Sequence, residues 1–225
     1  MLLVVKEEVE LAKDINGHMH KSVEEFSVST LEIGGLGAAL QALRLPFGKS
    51  CRSYADFTKE TFTPCTVATA ADDDYYDGIR FSSTVLVHSK DSSLLKTLIK
   101  RGDEHAKVLR GVCVWAEINA PRYFWQEMDR YSVGACCLSS NSTMHQQGKG
   151  LAEEELVEMK ENLPEGTMQR RVWMFSYQTL RRIYFQRRNH RLPQWRIFCD
   201  WIKTLPFAYD FITMEDERQN NNTDK

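Results

Sequence analysis

The chain has 225 residues, 42% of them hydrophobic and 11% aromatic, which is enough for a packed core and excludes wholesale disorder. Its 29 basic and 31 acidic side chains leave a formal charge of −2. That balance excludes a generally cationic nucleic-acid coat and an acidic tail protein, while leaving room for a local basic site. Apolar runs reach only about five residues, against the roughly 20 needed to span a bilayer. Met1-Leu2-Leu3-Val4-Val5 meets Lys6-Glu7-Glu8 at once, unlike a signal peptide or an anchor. A soluble cytoplasmic protein is the expectation.

Taken in chain order, Glu7 to Lys13 has helical composition, and Phe26 to Ile33 alternates like a strand. Gly34-Gly35-Leu36-Gly37 then leads into a short helix, Ala38 to Arg44, ending near Pro46. Such a turn can cradle phosphate, but the dinucleotide spacing is absent and a tight structural turn is the favoured reading. Residues 47–78 are polar and irregular, suited to a surface loop or a lid, and carry the acidic run Asp72-Asp73-Asp74-Tyr75-Tyr76-Asp77. A solvated loop is preferred there over a cation site. Residues 79–88 read as a strand; Asp91 is placed to cap a helix over Ser92–Arg101, and Gly102 to stop it.

Asp103 to Arg110 is expected to begin a further helix, with Asp103, Lys107 and Arg110 on one face. Val112 to Asn119 alternates as a strand that Ala120-Pro121 ends, and Arg122 to Arg130 runs helical. Residues 131–150 are loop-like, with enough hydroxyl, amide and imidazole groups to meet either an anionic ligand or their own backbone. Leu151 to Asn162 is a charged amphipathic helix, Arg170 to Arg188 a long basic–aromatic helix, and Leu192 to Lys203 the last helix, with a polar tail after Met214. Without an internal repeat or a linker, the expected architecture is one α+β domain over 1–213, a mixed sheet with a long helical C-terminal half.

The cysteines at 51, 65, 113, 136, 137 and 199 contain no C-x-x-C, so free or structural thiols are expected and no metal site. Arg170-Arg171, Arg181-Arg182 and Arg187 to Arg191 offer guanidinium forks suited to phosphate, interleaved with Trp173, Tyr177, Tyr184, Phe185 and Trp195. Those aromatics could stack single-stranded nucleic acid, but their helical spacing reads mainly as core. These patterns point to an anionic ligand of about nucleotide size.

Several strings in this order resemble the flavin-dependent thymidylate synthases (thymidylate synthase X), over roughly residues 80–205. They are Leu94 to Ile99 with Gly102, Ala120-Pro121-Arg122-Tyr123, Leu163-Pro164 with Arg170, and Arg188 to Ile197 with Gln194-Trp195. Asp103 to Lys107, Ser142-Thr143-Met144-His145, Arg188-Asn189-His190 and Phe198 to Pro206 resemble a divergent bacteriophage-encoded branch of that family more closely. The family signature is Arg-His-Arg, seven residues, then Ser; here it reads Arg130-Tyr131-Ser132, seven residues, then Ser140. The family's following glutamate is Leu138, its later arginine is Ser142, and its Gln-x-Glu-Ile-Arg ends as Gln194-Trp195-Arg196-Ile197-Phe198.

The resemblance implies a thymidylate-synthase-X-like α+β fold, a homotetramer with shared sites, and reductive methylation of dUMP or a related C5 modification. It implies FAD as cofactor, with NADPH and methylene-tetrahydrofolate as co-reactants. Arg130, Ser140, Ser142 and Arg170 would bind the pyrimidine nucleotide. His105, Lys107, Arg110, Tyr131, Arg188 and Asn189 would face the flavin. Arg196, His145 and His190 are the catalytic candidates: Arg196 as a substitute for the missing substrate-activating arginine, the histidines as acid–base groups. A nucleotide-binding protein without the flavin is the alternative, and a single-strand nucleic-acid binder is disfavoured by the net charge.

Overall fold

The computed structural model describes residues 21–48, 62–67 and 83–215. The helical composition of 7–13, the acidic run 72–77, most of the lid expected at 47–78 and the tail beyond 215 lie outside the described residues. A one-turn helix α1 (Lys21–Glu24) leads into strand β1 (Ser27–Gly34) and helix α2 (Leu36–Arg44). Within the stretch expected to be irregular, Phe62–Val67 forms strand β2, antiparallel to β3 (Ser83–His88). Thereafter come α3 (Ser89–Lys100), β4 (Cys113–Pro121), α4 (Arg122–Met128), β5 (Ala135–Ser140), α5 (Thr143–Gln146) and α6 (Glu153–Glu161). Strand β6 (Met168–Ser176) and helices α7 (Tyr177–Arg187) and α8 (Pro193–Lys203) complete the order before a final helical turn at Ala208–Ile212. No helix among the described residues is long and apolar enough to cross a membrane.

The main sheet runs β1-β4-β6-β5, and its pairs are all antiparallel rather than mixed in direction. Strand β4 sets its polarity. Val114, Ala116, Ile118 and Ala120 are fully buried on one face, while Cys113, Trp115, Glu117 and Asn119 alternate onto the other. Cross-strand partners share a face, so Phe175, Trp173 and Arg171 of β6 fall on the core side and Met174, Val172 and Arg170 on the opposite side. Helices α4, α7 and α8 cover the core side. Trp195 lies 4.4 Å from Phe124 between ring centroids, and Phe198 lies 5.8 Å from Phe175.

The long helix expected over 170–188 is instead a strand followed by a helix. Ser176 marks the break: its hydroxyl accepts from the Thr179 amide, and Tyr177 N–H bonds the Val112 carbonyl, turning the chain from sheet to helix. Asp91 is not the cap of α3. His88 Nδ1 accepts from the Lys90 amide at 3.0 Å in that role, whereas Asp91 is buried one turn in, paired with Arg44 of α2. Asp103 to Arg110 forms a turn and a 3-10 segment (Lys107–Gly111) rather than a helix, so Asp103, Lys107 and Arg110 do not share a face. Asp103 pairs instead with the buried Arg181 at 3.3 Å, and Arg110 bonds Gln178 at 2.6 Å.

Gly35 shows why the glycine turn exists. Its φ is +80°, and a Cβ there would stand 1.8 Å from the carbonyl oxygen of Gly111. The turn is needed for close backbone approach. A carbonyl oxygen in that place also repels an anion, so the structural reading of this turn holds.

Candidate functional site

Three clusters contain the residues singled out from the sequence. The first lies where β5 and β6 end together. The turn before β5 is fixed by Ser176 N–H to Gly134 O at 2.7 Å and by the Thr179 hydroxyl to Val133 O at 2.8 Å. Beyond Ser140, Asn141 ties the strand ends together. Its amide N–H donates to Arg170 O at 2.9 Å, and its side-chain oxygen accepts from Arg170 N–H at 2.8 Å. Ser142 then caps α5 through the His145 amide at 3.4 Å, leaving the His145 ring exposed. Asn141 thus fixes the backbone of Arg170 beside the segment that carries Ser140 and Ser142.

The sheet divides the two arginines of this end. Arg170 faces the open side, exposed, with the Glu117 carboxylate 3.6 Å away. Ser140 stands opposite Arg171, on the core side. There Arg171 lies over the Trp125 ring at 4.5 Å, donates to Gln169 Oε1 at 3.1 and 2.9 Å, and to Asp129 Oδ1 at 3.1 Å. It forms one wall of a cleft of about 270 Å³ between α4, α6 and the start of β6, which Arg122 and Lys160 also line. Lys160 has no part in the sequence expectations, and Arg122 enters them only within the Ala120 to Tyr123 string. Their signal was weak, one basic residue in each of two helices that only the fold brings together.

The second cluster surrounds Glu127 of α4. Arg187 Nη1 donates to its Oε2 at 2.5 Å, Trp195 Nε1 donates to the same atom at 3.0 Å, and His190 Nε2 lies 3.6 Å away. The Tyr131 hydroxyl donates to Gln186 Oε1 at 2.9 Å and accepts from Arg187 Nε at 2.8 Å. Burial holds His190 below the usual imidazole range, with Arg187, Arg196 and Arg191 adding to the shift against the opposing pull of Glu127. Arg196 donates to the carbonyls of His190 and Arg191 at 2.8 and 3.2 Å. It closes the turn between α7 and α8.

The third cluster sits at the other end of α7, where His105 and Lys107 are exposed and Arg110 bonds Gln178. Arg188, at the end nearer His190, stacks on Phe185 at 5.1 Å and pairs with Glu215 at 3.0 Å; Asn189 beside it is exposed. Arg130, exposed, follows α4 and sits next to Tyr131.

Within one chain the expected flavin residues fall into two groups. The 11 residues of α7 separate the two groups by roughly 16 Å at 1.5 Å per residue. Tyr131 is only 5% exposed and spends its hydroxyl inside the protein. Much of the arginine–aromatic pattern turns inward: Trp173, Tyr177, Trp195 and Arg181 are buried, while Arg182, Tyr184, Phe185, Arg187 and Arg188 are half-buried. Among the described residues, no three His, Cys, Asp or Glu side chains are grouped to hold a metal ion. Cys113, Cys136 and Cys137 are free thiols.

The architecture is a thymidylate-synthase-X-like fold. The chain is similar to thymidylate synthase X from Helicobacter pylori solved with FAD and dUMP, at 15% identity and a TM-score of 0.53, over 83% of this chain and 97% of that one. A second structure of the same organism's flavin-dependent enzyme, complexed with FAD and dUMP, matches at 15% identity and a TM-score of 0.52, over 82% and 97%. No protein-family model and no curated protein matches the sequence.

Proposed function

We propose that this chain binds a pyrimidine deoxynucleotide on its thymidylate-synthase-X-like fold, at the shared end of β5 and β6. The observation that carries this reading is the exposed Arg170, whose backbone Asn141 fixes at the strand ends with two hydrogen bonds, next to the turn where Ser142 caps α5. Arg170 there is exposed, and its ionic contact with Glu117 is loose enough at 3.6 Å to be exchanged for a phosphate. The fold neighbours are complexes with dUMP, which makes deoxyuridylate the first ligand to test. The divergent bacteriophage-encoded branch remains the family assignment that the longer strings suggest.

The fuller reading is reductive methylation at C5 of the uracil, with FAD as the hydride and one-carbon carrier and NADPH and methylene-tetrahydrofolate as co-reactants. As the expected flavin residues are dispersed in one chain, a flavin site would be completed by further copies in a homotetramer. In that reading Arg130 also holds nucleotide, and His145 serves as an exposed acid–base group. A second reading, nucleotide binding without flavin, draws on the engagement of Arg196 by backbone carbonyls and of Tyr131 by Gln186 and Arg187.

Purified full-length protein would distinguish them. A nucleotide site is expected to give a dUMP-dependent rise in melting temperature, with affinity reduced about tenfold or more in Arg170→Ala. No shift with dUMP, dCMP or dTMP would sink both readings. Flavin absorbance that co-purifies with an assembly larger than one chain supports the enzyme. A colourless protein that shifts with dUMP and takes up no added FAD supports the second reading.

A further inference from the structure

The cleft on the core side of the sheet carries an inference of its own, independent of nucleotide binding at Arg170. Three cationic groups reach it from three elements: Arg122 from the start of α4, Lys160 from α6, and Arg171 from β6. One carboxylate, Asp129, also lines it and is engaged by Arg171. Arg122 has a carboxylate no nearer than Glu165 at 4.0 Å, at the weak limit of an ion pair. The ammonium of Lys160 meets the Thr143 hydroxyl rather than an acid. Cations gathered at a half-enclosed cleft in excess of their counter-charges favour an anion, since each gains more from a fixed partner than from screened solvent.

Lining chemistry narrows the class. The Thr143 and Thr167 hydroxyls and the Gln126 side-chain oxygen supply neutral groups around the cations, while Gln169 is spent on Arg171 and the Asn141 carbonyl. The one aromatic face, Trp125, is already covered by the Arg171 guanidinium, so a flat base finds nothing to stack on. A volume near 270 Å³ exceeds a bare oxyanion and suits a small polar body attached to it. We infer that this cleft binds a small phosphomonoester with a hydroxylated, non-aromatic remainder, of the sugar-phosphate class. Arg122 and Lys160 hold the phosphate, while the threonines and Gln126 meet the hydroxyl groups. It is separate from Arg170, which leaves the same strand on the opposite face of the sheet.

Titration calorimetry on the full chain tests this with ribose 5-phosphate as the probe and inorganic phosphate for comparison. Expected is one saturable site for the sugar phosphate, tighter than for phosphate alone. That site persists in Arg170→Ala and weakens about tenfold or more in the double variant Arg122→Gln/Lys160→Gln, whose fold is checked by far-UV circular dichroism. Lys160→Arg, keeping the charge on a good helix former, retains binding and guards against an unfolded double variant. No saturable binding to the wild-type chain overturns the proposal. So does a site abolished by Arg170→Ala yet unchanged in the double variant. Failure of the dUMP test leaves this site standing, because the two sets of arginines do not overlap.

Discussion

Glu127 illustrates how one side chain can hold a helix junction. Its Oε2 accepts from both Arg187 and Trp195, and the same carboxylate faces His190. Burial and the surrounding guanidinium groups outweigh that carboxylate and keep His190 neutral to lower pH than a free imidazole. The unfolded chain therefore takes up a proton near the ordinary value of 6.5 while the folded chain does not. Stability is expected to fall as pH drops through 6.5, until the lower folded-state value is passed. His88, also shifted downward by burial, adds to the same slope. Urea midpoints measured from about pH 7.5 to about 5.5 should decline in the wild type and decline less steeply in His190→Gln. An identical slope in the variant would remove His190 from this account.

The elements were legible where one periodicity ruled, and misread where a charged side chain broke it. Strand β4 was plain because small and branched residues alternate without interruption from Val112 to Asn119. Strand β6 was hidden because a core-side position is filled by Arg171, whose guanidinium is accommodated there over the Trp125 ring. The resulting Arg-Arg followed by aromatics resembled the helix that comes next. In the same way Asp91 had the residue type of a cap, and only its burial beside Arg44 shows its different task. At the candidate site, Ser140, Ser142 and Arg170 came into view as nucleotide contacts only through the family resemblance, while the Lys160–Arg122 approach depends on helices distant in sequence. Gly35 and Gly37 carry the element-scale prediction. Gly35→Ala puts a methyl group into the Gly111 carbonyl at positive φ and should cost about 2–4 kcal/mol, read by urea denaturation. Gly37→Ala, with open space around its Cβ inside α2, should be stabilising by up to about 1 kcal/mol. Equal effects at the two sites would contradict the close-approach explanation.

For the molecule as a whole, one buried cluster runs from Phe26 and Leu40 through Leu95, Ile118 and Phe124 to Phe198 and Phe211. Helices at both ends of the described chain share it, so we propose residues 1–213 as a single cooperative unit. Far-UV circular dichroism and tryptophan fluorescence should then report one coincident unfolding transition, and two separated transitions would divide the chain. The strand order has a consequence in time. Ser27 pairs with Asn119, β4 cannot complete its other edge until Met168–Ser176 exists, and β5 waits for the same strand. A chain emerging from the ribosome therefore carries β1 unpaired while about ninety further residues are made, and lacks its covering helices until later still. Throughout that interval an apolar face and open strand edges meet solvent, so the yield of folded protein is expected to depend on how fast the last third of the message is translated.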